Sequence, residues 1–387
     1  MHKRYLMAPG PTPVPEAARL SMARELIHHR GPEFTEVFRE VAEQLQWVFE
    51  TSGPVLTLTC SGTGAFEAGM VNFTRRGDTI ISVGGGKFGE RWGAIGRAMR
   101  MKVVEIDVPW GEHLEPSRLK EVLTSHPETS MVTLTANETS TGVFHPVQEL
   151  AGVVHDHSEA LFAVDGITAV GVHEMPMDEW GIDLLVAGSQ KAFGVPPGLG
   201  FLAASDRAWS VIEESDHGRY YFDLRRERKK QLAGQTAFTP AISVVLAMQQ
   251  VLQMMLREGR EALLRRHEVN ALATRAAVEA LGLELLASRP SNAVTAARVP
   301  EGISAPEVVR RMREQQGVTI AGGQGELKEH LIRLGHIGFF EAADIRVAIG
   351  ALEMVLTQLG MTFEPGAGLV AAQQVFTESQ TSMDVGE

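Results

Sequence analysis

The chain has 387 residues, 44% of them hydrophobic, and a formal net charge of −12 at pH 7. That length exceeds what one core usually serves and points to two domains, in a composition that suits a globular enzyme rather than a disordered or membrane-embedded chain. An acidic chain whose only basic run is residues 225–230 argues against nucleic acid and against an anionic membrane as partners.

In chain order, residues 1–15 come first. They include MAPGPTPVP, too rich in proline and glycine for regular structure, and read as an extended arm. They have basic side chains but no apolar h-region, so they do not read as a secretory signal. Residues 32–49 place Phe34, Val37, Phe38, Val41, Leu45 and Val48 at helical spacing and predict an amphipathic helix. From residue 55 the rhythm changes. Short apolar strands at 55–59, 79–83, 102–106, 131–135, 161–164, 184–187 and 200–203 alternate with helical patterns. Such alternation predicts an α/β fold with a mostly parallel sheet covered on both faces, where ligands collect at the carboxyl ends of strands.

Around Pro240 the pattern turns helical through residue 281, with a break at Gly259. The run 242–256 is interrupted by Gln249, Gln250 and Gln253 and does not reach spanning length. A second strand–helix set follows at 293–298, 305–316, 330–333 and 342–359, which reads as a smaller α+β domain. The expected organisation is an arm (1–15), a large domain (16–257), a small C-terminal domain (258–362) and a loose polar tail (363–387). The one cysteine, Cys60, excludes an intrachain disulfide and fits a reducing, cytoplasmic setting.

The chemistry gathers at two strand ends. The apolar run before Gly188 leads through Ser189-Gln190 to Lys191, followed by a loop of Gly194, Pro196, Pro197 and Gly198. Desolvation at a buried strand end disfavours the ammonium form and makes a lysine a usable amine nucleophile. Upstream, the run 161–164 ends in Asp165. A carboxylate beside a heteroaromatic nitrogen keeps that nitrogen protonated, and the ring can then act as an electron sink. A lysine and an aspartate so placed are the pair that pyridoxal 5'-phosphate (PLP) requires.

Other motifs are weaker alone. Residues 60–65, CSGTGA, follow the first strand and open a helix whose N–H groups could cradle a phosphate, with Ser61 and Thr63 as extra donors. Residues 84–89, GGGKFG, match G-x-G-x-x-G, with Glu105 and Asp107 about 20 residues on, and compete as a dinucleotide site. The same turn could instead bring Phe88 over a flat ring. Hydroxyls in residues 137–142, NETSTG, could reach a phenolic oxygen or simply cap a helix. Arg333, alone in an apolar strand, is costly unless paired, either in a salt bridge or with a carboxylate ligand. The histidines, His28, His29, His155, His157, His330 and His336 among them, show no metal spacing and read as surface or capping groups.

Together these pieces resemble the class V aminotransferases of the fold-type I PLP enzymes, in the branch of the alanine–glyoxylate and serine–pyruvate aminotransferases. The likeness runs through APGP, HRGPEF, SGTG, KFGER, NETSTG, VDGITAVG, GSQKAFGVPPG and IRLGHIG, nearly to residue 360; GSQKA with the upstream VD is its specific part. The resemblance implies that Lys191 carries the cofactor and that Asp165 pairs with its ring nitrogen. It implies that Gln190, Thr63 and Gly64 contact its phosphate, that Thr139 reaches its ring oxygen and that Phe88 stacks on the ring. Arg333 would hold the substrate carboxylate, with Gly10 nearby. Family members are homodimers, and residues 234–240 look like the segment that completes the neighbour's phosphate site, Thr236 being preferred over Gln235 and Thr239. Alanine–glyoxylate enzymes typically carry Trp, His and Ser where this chain has Phe88, Ala65 and Thr139. The expected activity is transfer of an amino group from alanine or serine to glyoxylate or pyruvate. A PLP lyase or desulfurase of the same fold, and a nucleotide-binding oxidoreductase or hydrogenase-associated subunit, are the alternatives.

Overall fold

The computed structural model describes residues 4–384; the ends of the expected arm and tail, 1–3 and 385–387, lie outside the described residues. The central sheet contains β1 (Val55–Leu58), β2 (Thr79–Val83), β3 (Lys102–Ile106), β4 (Thr129–Thr135), β5 (Leu161–Asp165), β6 (Leu184–Gly188) and β7 (Gly200–Ala204). Their spatial order is β1-β7-β6-β5-β4-β2-β3. Only β7 is antiparallel to its neighbours, β1 and β6; the other pairs are parallel, as the strand–helix alternation predicts. Strands buried on both faces need near-continuous apolar runs, which β2, β5 and β6 have. The edge strand β3 instead exposes Lys102 and Glu105, charges that discourage pairing with another chain.

Two cores sandwich the sheet. On one face Phe34, Phe38, Val41 and Leu45 of helix Pro32–Phe49 pack with helix Ile242–Glu258. On the other, Phe66 of helix Gly62–Phe73 stacks on Trp92 of helix Gly89–Ala98, ring centroids 4.0 Å apart. Each fully buried Phe of this kind contributes roughly 2–3 kcal/mol of burial free energy. The expected break at Gly259 separates helix Ile242–Glu258 from Arg260–Ala280, and its φ of 81° is the left-handed conformation that glycine tolerates.

The smaller sheet contains β8 (Glu284–Leu285), β9 (Val294–Arg298), β10 (Ala321–Gly322) and β11 (Leu331–Gly335), antiparallel in the order β8-β9-β11-β10. Helices Ala305–Gln315 and Ala342–Gln358 share its core. The segment after residue 363 is not loose: Ala367–Asp384 is a helix whose Ala372 and Phe376 are buried in that core, with Leu369 packed against it. Leu369, Ala372 and Phe376 recur at helical spacing, a narrow stripe hidden within a polar composition.

The arm ties the two sheets together. Tyr5–Leu6 pairs in parallel with Val318–Thr319, and Gly335 N donates to Met7 O at 2.6 Å. Seven residues past Tyr5 the same arm reaches the large domain, where Thr12 N donates to Gln190 O at 3.2 Å and Thr12 Oγ1 to Lys191 O at 2.8 Å.

His28, His155, His157 and His330 are exposed, as expected, but His336 is buried, as are His145 and His267. His145, His267 and His336 are at most 1% exposed, and burial pushes each ring from 6.5 down to about 3. Each uses one ring nitrogen as an acceptor: His145 Nδ1 from Leu114 N, His267 Nε2 from Gly338 N and His336 Nε2 from the Thr295 hydroxyl, tautomers being assigned from these partners. The unfolded chain takes up protons below pH 6.5 that the fold refuses, so their stabilisation is complete above 6.5 and is lost as pH falls toward 3. We expect urea midpoints at pH 5.5 to lie below those at pH 7.5, by about 1 kcal/mol per histidine per pH unit. Equal midpoints would mean the rings do not resist protonation.

Candidate active site

β5 and β6 lie side by side in parallel register, Asp165 opposite Val186, so both deliver their following residues to one edge of the sheet. After β6 the chain is fastened by Ser189: its hydroxyl donates to Pro196 O at 2.7 Å and its carbonyl accepts from Val195 N at 3.0 Å. Pinned this way, Gln190 and Lys191 face a cavity of about 110 Å³ that Asp165 also lines. Lys191 Nζ donates to Pro9 O at 2.7 Å. Asp165 accepts from Ile167 N at 2.9 Å and from Thr135 Oγ1 at 3.4 Å. Burial pushes the Lys191 amine down to about 8 and the Asp165 carboxyl up to about 7. Both groups therefore sit near the point where a proton is exchanged at neutral pH.

Thr63, Phe88, Thr139, Asp165, Gln190 and Lys191 are brought together around this cavity. The others are not among its lining residues. Gly64 packs against Cys60, where a Cβ would come within 2.7 Å of the cysteine Cβ. Gly10 lies against the Lys191 side chain, with no room for a Cβ. Thr236 is buried in its own chain and its hydroxyl donates to Phe238 O at 2.6 Å, whereas Thr239 is exposed. Arg333 stands behind Thr139: its Nη1 donates to Thr139 O at 2.8 Å and its Nε to Gly322 O at 2.9 Å. No described carboxylate forms an ion pair with it, so the salt-bridge reading does not hold. Burial pushes the guanidinium down to about 10, with the Glu138 charge opposing.

Sequence reasoning missed Arg91, Asn137, Ile167 and Thr168, all of which line the cavity. Ile167 follows Asp165 by two residues, and that proximity was the available signal. Asn137 Nδ2 donates to Thr168 O at 3.1 Å and to Thr168 Oγ1 at 2.9 Å.

Glu138 carries the least expected role. Its carboxylate, 1% exposed, accepts from Phe88 N and Gly89 N at 2.9 Å each, and from Ser140 N at 2.9 Å and Ser140 Oγ at 2.6 Å. Burial pushes the carboxyl up, and these four donors oppose it. Of the N–H groups that a dinucleotide pyrophosphate would use at the 84–89 turn, those of Phe88 and Gly89 are thus already taken by an internal carboxylate, and that of Lys87 by Ser140 Oγ. Phe88 is held in place by the same bonds. Glu138→Ala would leave Phe88, Gly89 and Ser140 N–H without their acceptor. At about 1–3 kcal/mol per unsatisfied buried donor, we expect a loss of roughly 3 kcal/mol or more in urea unfolding, with Glu138→Gln intermediate.

The first turn of helix Gly62–Phe73 has no side-chain cap and no acidic residue, and Ser61, Gly62 and Thr63 line the cavity. That is the donor set of an anion cradle. Two buried acceptors at the cavity, Asn137 Oδ1 and Gln190 Oε1, have no partner among the described residues. An uncapped helix start, an amine, a carboxyl and unspent amides around one small space fit a compact phosphorylated heteroaromatic.

Comparison with known proteins agrees. The family model described as aminotransferase class-V matches residues 5–334. The small subunit of a soluble hydrogenase from Synechococcus sp. is 41% identical over 97% of this chain and 99% of its own length. A serine–glyoxylate aminotransferase from Methylorubrum extorquens is 30% identical over 97% of each chain. The crystal structure of a subgroup IV aspartate aminotransferase from Thermus thermophilus superposes with a TM-score of 0.87 at 34% identity, covering 92% of this chain and 99% of that one.

Proposed function

The chain belongs to the class V aminotransferases, PLP-dependent transaminases of fold type I, and from that premise we propose that it moves an amino group from alanine or serine to glyoxylate or pyruvate. The observation that carries this reading is the convergence of Lys191 and Asp165 on one cavity of about 110 Å³, closed on the amine side by the Pro9-Gly10 backbone.

Bound PLP supplies an electron sink for the substrate α-carbon. The chain's own residues do the rest. Lys191 would hold the cofactor, and its Nζ, once displaced by the incoming substrate amine, would take the proton from the α-carbon and return it, a task suited to an amine brought down to about 8. Asp165 would hold a proton on the ring nitrogen. Phe88 would cover the ring, the Thr139 hydroxyl would serve the ring oxygen, and Gln190, Thr63 and the Gly64 backbone would serve the phosphate. Arg333 spends Nε and Nη1 on carbonyls and keeps Nη2 for the substrate carboxylate, beside Gly10. A second copy of the chain, in a cytoplasmic homodimer, would bring residues 234–240 to the phosphate; within one chain the Thr236 hydroxyl is on Phe238 O and Thr239 is exposed.

The desulfurase alternative would need a reactive thiol. Cys60 is pushed up to about 12 by burial and is not one. The dinucleotide alternative loses its anion site to Glu138. The test is a half-reaction panel on the yellow holoenzyme. Alanine or serine should bleach the cofactor band, and glyoxylate or pyruvate should restore it. Bleaching by aspartate alone would replace the donor, and sulfide release from cysteine would replace the reaction.

A further inference from the structure

We propose that Arg91 is a fixed cation for the phosphate of the cofactor, an assignment that rests on the PLP reading above. Arg91 belongs to helix Gly89–Ala98, is half-buried and lines the cavity. Its Nη1 donates to Thr63 Oγ1 at 2.8 Å, and its guanidinium carbon lies 5.0 Å from the centroid of the Phe88 ring. It is thus anchored at the uncapped first turn of helix Gly62–Phe73, the positive end of a helix dipole.

Two neighbours on the same surface have found carboxylates: Lys87 pairs with Glu90 and Arg97 with Glu105. Among the described residues Arg91 forms no ion pair, although a half-buried charge is costly until it is matched. The other cations at the site are committed elsewhere. Lys191 Nζ is on Pro9 O, and Arg333 is held by Thr139 O and Gly322 O toward the smaller sheet. A second, independent sign of a missing ligand is Asn137 Oδ1, on a residue 2% exposed that lines the same cavity: it has no partner among the described residues and, as an acceptor, calls for a donor on the ligand rather than for its phosphate.

A planar guanidinium and a phosphate match as a two-toothed pair. Thr63 Oγ1 accepts from Arg91 and still has its own proton to donate, so a phosphate oxygen beside it would meet a hydroxyl, a guanidinium and the first N–H groups of the helix together. The distal carboxylate of a dicarboxylic substrate is the competing anion. The bond to Thr63 at the helix start places Arg91 with the phosphate donors instead.

The experiment uses full-length protein freed of cofactor, titrated with PLP and with pyridoxal, which lacks the phosphate, and followed by tryptophan fluorescence. Arg91→Ala and Arg91→Gln should raise the Kd for PLP by about 30-fold and leave that for pyridoxal within about threefold, with Arg91→Lys in between. Urea midpoints of the three variants show that each is folded. Equal weakening of both ligands would make Arg91 a shaping residue and overturn the proposal, as would no change in either. An unchanged Kd for PLP with a raised KM for aspartate alone would assign Arg91 to a substrate carboxylate. Failure of the unmodified chain to bind PLP at all would instead overturn the cofactor reading on which the proposal rests.

Discussion

Lys191→Ala should abolish transamination, lowering turnover by about 10⁴-fold or more, and should leave the protein colourless. Among the described residues no other lysine lines the cavity, and the remaining cation there is the Arg91 guanidinium, which stays charged and cannot accept a proton at neutral pH. For the same reason Lys191→Arg should not rescue the reaction. The side chain is fastened only through Nζ to Pro9 O, an interaction between a polar group and one backbone carbonyl, so the fold loses little. Rates of serine consumption with glyoxylate, measured beside urea midpoints, separate the two effects. Activity within tenfold of the unmodified enzyme would sink the assignment of the amine.

Asp165→Asn comes second, with an expected loss of about 10²–10³-fold. The amide can keep the bond from Ile167 N and can reorient toward the Thr135 hydroxyl, so shape and stability should change little. What disappears is the negative charge that holds a proton on the ring nitrogen. Asp165→Glu restores the charge but lengthens a side chain within a full cavity wall, and should recover only part of the rate. Full activity in Asp165→Asn would remove Asp165 from the chemistry and leave it a structural strand end.

Much of this was readable beforehand because it depends on local pattern. Asp165 and Lys191 each follow an apolar run, and a run of that kind in an alternating chain already says buried parallel strand with its end at the ligand edge. Arg333 was visible as a charge out of place. What surrounded it was not: its partners are backbone carbonyls of Thr139 and Gly322, which no side-chain pattern encodes. Glu138 was hidden for a related reason. It sits in a polar stretch that looks exposed, and its burial arises only when β4 and the Phe88 turn are brought together in space. Residues 84–89 satisfied a nucleotide pattern in full, yet the N–H groups of Gly84, Lys87, Phe88 and Gly89 are bonded inside the protein. The closing helix Ala367–Asp384 escaped because a stripe as narrow as Leu369, Ala372 and Phe376 makes a weak signal until a core is available to receive it.

The reversed direction of β7 has an architectural consequence. A parallel successor to β6 would have required a crossover of a dozen residues or more, usually through a helix that leaves the sheet edge. Because β7 turns straight back, Gly188 and Gly200 face each other on one rung, and residues 189–199 form a staple whose two legs are nailed to adjacent strands. The amine at 191 therefore rides on a short bracket closed at its base, while nearly every other connection along the sheet is free to vary in length without moving it.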